Sequence, residues 1–146
     1  MRHRREHKKN YIWLIPVAVL VCLALTLYFV QGQWILLNGL SGDYSADTYL
    51  IGGTGDSLFT TNEARLSYSC VVESGGLCFE LTDEQGNLVF QQQFTESGSG
   101  SIEIENIEPG TYYYHDYALS EDTVAHCTFR IEEKRSNFRI LLSKFS

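Results

Sequence analysis

The sequence predicts an all-β fold, an antiparallel β-sandwich, carried behind one N-terminal transmembrane helix. Three observations predict it. Tyr11 to Val30 is an uncharged apolar run of 20 residues. From Thr48 onward apolar side chains recur at every second position. Glycine-rich and Asp/Asn-rich turns punctuate that pattern at the spacing of short strands.

The apolar run reads YIWLIPVAVLVCLALTLYFV. At about 1.5 Å per residue such a helix spans roughly 30 Å, the thickness of a bilayer's hydrocarbon core. Tyr11 and Trp13 at one end, and Tyr28 and Trp34 near the other, are rings suited to the membrane interface. Pro16 falls in the first two turns, where a missing N–H costs least. A cleaved secretory signal peptide, cut after Gly32, is the rival reading. Its apolar core is usually about 7–15 residues, shorter than this run. Cys22 lies mid-span without the preceding small residue that lipidation needs.

Charge sets the orientation. Residues 1–10 carry five basic residues against Glu6, a net +4, whereas residues 11–146 carry six basic and 17 acidic residues, a net −11. The basic head stays cytoplasmic by the positive-inside rule, and anionic lipid headgroups are sufficient partners for it. The acidic body then faces outward from the plasma membrane as a single-pass protein. An acidic body also argues against nucleic acid, whose phosphates require a basic surface.

The chain divides into a basic tail (1–10), the membrane helix (11–30), a juxtamembrane connector (31–47) and an extracytoplasmic β-sandwich (48–142). Within the connector, Trp34-Ile35-Leu36-Leu37 is open to three readings: membrane surface, helix extension or first strand. Strands are expected near 48–51, 57–60, 64–72, 77–83, 87–94, 100–105, 111–119 and 124–132, with a possible last one at 137–142. Their inward set is Leu66, Tyr68, Leu77, Phe79, Leu81, Ile102, Ile104, Phe129 and Ile131. Turns fall at Glu73-Ser74-Gly75-Gly76, Asp83-Glu84-Gln85-Gly86-Asn87, Ser97-Gly98-Ser99-Gly100 and Glu108-Pro109-Gly110.

The Asp83-Glu84-Gln85-Gly86-Asn87 turn, the Gly/Ser loop and Pro109-Gly110-Thr111-Tyr112 together resemble small bacterial cell-surface jelly-roll domains of the pre-peptidase C-terminal type, over roughly residues 48–132. The resemblance implies a jelly-roll-like sandwich serving as an accessory module without catalytic residues. A difference from such modules is expected, the lack of an enzyme domain beside it. Bacterial origin also accords with the absence of an Asn-x-Ser/Thr acceptor among its six asparagines.

Candidate chemistry is sparse. No nucleophile elbow and no phosphate loop is present, so the expectation is a non-enzymatic protein without cofactor. His115-Asp116 and His126 are metal ligands on paper, but their placement fits surface or rim histidines. Asp83, Glu84 and Asn87 cluster oxygens as calcium sites do, and a turn whose Asp bonds its own backbone explains the same residues. Glu132 and Glu133 close a strand and are expected in solvent.

Tyr112, Tyr113, Tyr114 and Tyr117 form the densest aromatic run. Alternation separates Tyr112 and Tyr114 from Tyr113, His115 and Tyr117. One set belongs to the core. The second, Tyr113, His115 and Tyr117, is the candidate ligand face, a stacking platform for sugar or peptide. Its plain alternative is an aromatic strand with high β-propensity.

Three cysteines follow the helix. Cys70 shares a face with Leu66 and Tyr68, and Cys127 shares one with Phe129 and Ile131, so Cys70–Cys127 is the expected disulfide. Cys78 would then be an exposed free thiol or a link to a partner. Cys70–Cys78 across a hairpin requires a bulge, because the two alternate to opposite faces. Three reduced thiols are the remaining alternative. The function expected is a surface or envelope protein whose β domain contacts a protein or a wall polymer. The alternative is a small single-span subunit of a secretion, transport or immunity assembly.

Overall fold

The computed structural model describes residues 14–45 and 53–144. These fall into two compact units, one drawn from Met1–Gln33 with Ser136–Ser146, the other Trp34–Arg135.

In the first unit, α1 covers Leu14–Val30, and the described side chains up to Tyr28 are exposed. Thr26 Oγ1 donates to the Cys22 carbonyl at 2.7 Å, so this aliphatic hydroxyl is satisfied within the helix. Among the described residues no helix is long and apolar enough to cross a membrane. The 17 residues of α1 extend roughly 25 Å, short of the span expected over Tyr11–Val30. Tyr11, Ile12 and Trp13 lie outside the described residues. A short helix, α2, covers Asn137–Ser143, where a last strand over 137–142 was one expectation. Ser136 caps it, its Oγ accepting from the Arg139 N–H at 3.3 Å.

The second unit is a β-sandwich of two four-stranded antiparallel sheets. Its strands are β1 (Gly32–Tyr44), β2 (Thr54–Phe59), β3 (Ala64–Ser74), β4 (Leu77–Thr82), β5 (Leu88–Phe94), β6 (Gly98–Ile104), β7 (Gly110–Ala118) and β8 (Val124–Ser136). One sheet has the order β1-β8-β3-β6 and the other β2-β7-β4-β5. Consecutive strands cross from sheet to sheet except at the β4–β5 hairpin. The stretch read as a connector, 31–47, is therefore largely strand. Its Gly, Ser and Asp residues suggest a linker, but ladder hydrogen bonds to β8 come from the backbone and are indifferent to that composition. Leu40 packs against the core and Tyr44 is buried in it. The strand expected at 48–51 lies outside the described residues.

Alternation determines what the sandwich buries. Leu66, Leu77, Phe79, Leu81, Phe129 and Ile131 are fully buried, and Ile104 nearly so, whereas Tyr68 and Ile102 are half-buried against them. Phe79 of β4 meets Phe129 of β8 across the gap at 5.2 Å, and Phe94 lies 5.3 Å from Phe129. These offset rings bring apolar area together with favourable ring geometry.

The turn at Ser74-Gly75-Gly76 crosses between sheets and does not close a hairpin. Gly75 has φ +68° there, a conformation that a side chain would strain. Cys70 and Cys78 consequently sit in different sheets. Cys70 lies directly opposite Cys127 on β8, with Cα atoms 4.1 Å apart, and the two are joined by a disulfide. Cys78 is free and fully buried, not an exposed thiol. The reason is its strand: β4 is internal, and Tyr117 of β7 lies directly opposite Cys78 on the same outer face.

Non-reducing peptide mapping is expected to recover the peptides of Cys70 and Cys127 joined, with Cys78 alkylated only after unfolding. On the chain-entropy model, Cys127→Ala is expected to cost about 4 kcal/mol in denaturant titration. A Cys70–Cys78 pair, or three reactive thiols, would contradict the sheet assignment.

Candidate functional site

The strand β7 reads GTYYYHDYA, and its phase is fixed by what it buries. Tyr112 and Tyr114 are buried and Asp116 is fully buried. Phe59 meets Tyr112 edge-on at 5.3 Å, and Tyr114 stacks near Phe79 at 6.3 Å. Tyr113, His115 and Tyr117 must then point outward. Tyr113 is 50% exposed, His115 is exposed, and Tyr117 is half-buried.

Neighbouring strands complete this outer face. Glu80 lies opposite His115, Cys78 opposite Tyr117 and Thr82 opposite Tyr113. On the far side of β4, Gln91 lies opposite Glu80. The His115 and Tyr117 rings stack at 5.3 Å with 27° between planes. Glu80 Oε1 accepts from the Tyr117 hydroxyl at 2.8 Å and from Gln91 Nε2 at 2.8 Å. Hydrogen bonding with Cys78 and with Glu80, together with desolvation, holds the Tyr117 phenol above its usual range. Tyr117 is thus locked as a neutral donor, and the ring edge beside His115 is held in one orientation. The arrangement presents aromatic faces beside a fixed carboxylate and amide. That combination stacks on an apolar ligand face and hydrogen-bonds its polar edge.

Other sequence candidates are dispersed. His115 and Asp116 are adjacent in sequence but on opposite faces, so they share no site. His126 Nδ1 pairs with Asp43 Oδ1 at the surface. Asp83 Oδ1 accepts the N–H groups of Gln85 and Asn87 at 2.9 and 2.8 Å, and Oδ2 accepts Asn87 Nδ2 at 2.8 Å. The turn itself therefore occupies both carboxylate oxygens. These bonds, that of the Asn87 side chain foremost, hold the Asp83 carboxyl below its usual range.

Glu132 and Glu133 are not simply solvated. Glu132 Oε2 accepts from Arg65 Nε at 2.6 Å and Ser67 Oγ at 2.8 Å, and the Arg65 guanidinium lies 4.2 Å over the Trp34 ring. Glu133 is fully buried, because it continues the inward phase of Ala125, Cys127, Phe129 and Ile131. It accepts Thr60 N–H at 2.7 Å, Thr61 N–H at 3.2 Å and Thr60 Oγ1 at 3.0 Å, and pairs with Arg135. Burial pushes its carboxyl up, but these donors outweigh burial and hold it below the usual value.

Asp116 is the opposite case. Both of its carboxylate oxygens are buried, without a hydrogen-bond partner among the described residues. Its backbone N–H donates to the Gly53 carbonyl at 3.0 Å. Gly53 sits so close that a Cβ there would lie 2.7 Å from Asp116 Oδ1 and 2.8 Å from Leu40 Cδ1. Burial raises this carboxyl to about 6.

The chain matches no protein-family model, and no curated protein matches it. Solved structures similar to it include three β-sandwich domains. One is the pre-peptidase C-terminal domain of collagenase from Bacillus anthracis, at 14% identity, covering 66% of this chain and 89% of that one, with a TM-score of 0.47. The carbohydrate-binding module CBM36, solved with calcium and xylotriose, has 13% identity over 70% of this chain and 99% of that one, TM-score 0.41. A CBM4 structure has 9% identity over 73% of this chain and 80% of that one, TM-score 0.44. The first is of the domain type that the Asp83–Asn87 and Pro109–Tyr112 turns resemble.

The buried Asp116 carboxyl yields a pH prediction. Its folded pKa of about 6 lies above the ordinary 3.8, so the folded state holds the proton more tightly. Its stabilising contribution is full below the unfolded value and is lost as pH rises through the folded one. Denaturant titration should show Asp116→Asn gaining on the parent by about 2 kcal/mol as pH rises from about 4 to above about 7. A pH-independent difference would mean that the carboxyl is solvated.

Proposed function

We propose that this chain is a membrane-anchored, non-enzymatic surface or envelope protein. In this reading, its jelly-roll-like sandwich holds a wall polymer on the face bearing Tyr113, His115 and Tyr117. The observation that carries the reading is the His115–Tyr117 stack beside Glu80 and Gln91. A sugar ring offers an apolar C–H face and a polar hydroxyl edge. A rigid aromatic pair next to a fixed acceptor and amide is suited to both. A protein partner presenting a peptide edge is the other occupant of this class.

Anchoring rests on the uncharged run ending at Val30 and on the charge reversal around it. The basic head would remain in the cytoplasm and the acidic sandwich outside. A second reading, a small subunit of a membrane assembly, draws on the apolar surface of α1, whose described side chains up to Tyr28 are exposed. Partners retained by the full chain but lost when α1 is exchanged for an unrelated span would favour it.

Two outcomes are expected. Protease added to intact cells should digest the sandwich and spare the N-terminal head; a protected sandwich would overturn the orientation. Full-length protein in detergent should sediment with purified insoluble wall polysaccharide. Tyr113→Ala and His115→Ala should each weaken that binding about tenfold, roughly 1.4 kcal/mol. Equal retention of both variants and the parent would remove this face from consideration.

A further inference from the structure

In the first unit, α2 packs against the end of α1. The Phe138 ring meets Phe29 edge-on at 6.3 Å. Asn137 Nδ2 donates to the Tyr28 carbonyl at 2.5 Å. Tyr28 O is among the last four carbonyls of α1, which have no partner within their own helix. The side chain of Asn137 thus caps α1 from a segment 109 residues away in sequence.

This packing leaves most of α2's apolar surface uncovered. Phe138, Leu141 and Leu142 are 54%, 43% and 52% exposed. They stand at i, i+3 and i+4, one stripe of the helix, the pattern that faces a core in a soluble domain. Here it continues the apolar surface of α1. Between the helices runs an open apolar groove of about 820 Å³, lined by Cys22, Leu25, Phe29, Phe138 and Leu141 among others. Charge reverses at the same place. All 17 acidic residues after the head lie at or before Glu133, whereas residues 134–146 carry Lys134, Arg135, Arg139 and Lys144 and no acid.

We infer that α2 is a second membrane contact, an interfacial helix lying in the headgroup region beside the outer end of α1. Phe138, Leu141 and Leu142 enter the acyl boundary, and the net positive charge of residues 136–146 faces anionic headgroups, Lys134 and Arg135 being held in ion pairs with Glu63 and Glu133. Lipid is favoured over a second copy of the chain because the stripe is continuous with the uncharged run of α1. A net-positive apolar segment also matches an anionic lipid surface. The inference rests on α1 being the membrane anchor.

Site-directed spin labelling tests both levels separately. The full chain with Cys22→Ser is reconstituted in vesicles of phosphatidylcholine with phosphatidylglycerol. It is labelled at Leu142→Cys or, as the anchor control, at Leu20→Cys. Both positions are exposed, and Cys78 is buried, so labelling is confined to the new thiol. Oxygen is expected to collide with the Leu142 label severalfold more often than a water-soluble nickel chelate does. If the Leu20 label is in lipid but the Leu142 label is in water, the interfacial helix is wrong and the anchor stands. A Leu142 label shielded from both reagents indicates protein cover and also overturns the inference. If both labels are in water, the anchor reading itself fails.

Discussion

Phe79 and Phe129 hold the two sheets of the sandwich against each other, and the phase of each strand follows from that contact. A strand has one inward set of side chains. Placing Phe79 inside places Leu77 and Leu81 inside, and sends Cys78 and Glu80 out. The same rule on β7 buries Tyr112 and Tyr114 and turns Tyr113, His115 and Tyr117 outward. The candidate face is therefore a by-product of core packing. Its rings are aimed by residues on the opposite side of the same strands, and Glu80 fixes the remaining freedom by accepting Tyr117 and Gln91.

Much of this was legible because period-two alternation is a local signal. The inward roles of Leu66, Phe79, Phe129 and Ile131, and the common face of Tyr113, His115 and Tyr117, need only the residues on either side. Register and sheet membership are not local. Nothing in Glu73-Ser74-Gly75-Gly76 distinguishes a hairpin from a crossing between sheets, so the burial of Cys78 could not be read from it. The strand at Gly32–Tyr44 was one of three readings open at Trp34–Leu37; its Gly, Ser and Asp residues resemble a linker, while its pairing with β8 depends on backbone alone. Asp116 and Glu133 did carry a signal: each occupies the inward phase of its strand, and an acid in that phase is buried. The partners of Glu80 carried none, since cross-strand neighbours depend on register.

The two buried acids show how differently one sandwich treats the same functional group. Glu133 closes the β2–β3 turn by accepting from Thr60 and Thr61, so its charge is matched by donors that the fold needs to satisfy in any case. Asp116 has no such set of side-chain donors among the described residues, with the backbone of Gly53 beside it, and it retains its proton more readily. One carboxylate rivets a turn; the other is a tolerated strain on the core.

The disulfide has a topological consequence. Cys70 and Cys127 enclose residues 71–126, and with them the whole of β4, β5, β6 and β7. Three of those strands carry the face with Tyr113, His115, Tyr117, Glu80 and Gln91. A single proteolytic cut anywhere in that loop, including the exposed Gly98–Gly100 stretch, leaves both fragments covalently attached to the chain that continues into β1 and α1. One nick in that loop cannot release this face from the rest of the chain.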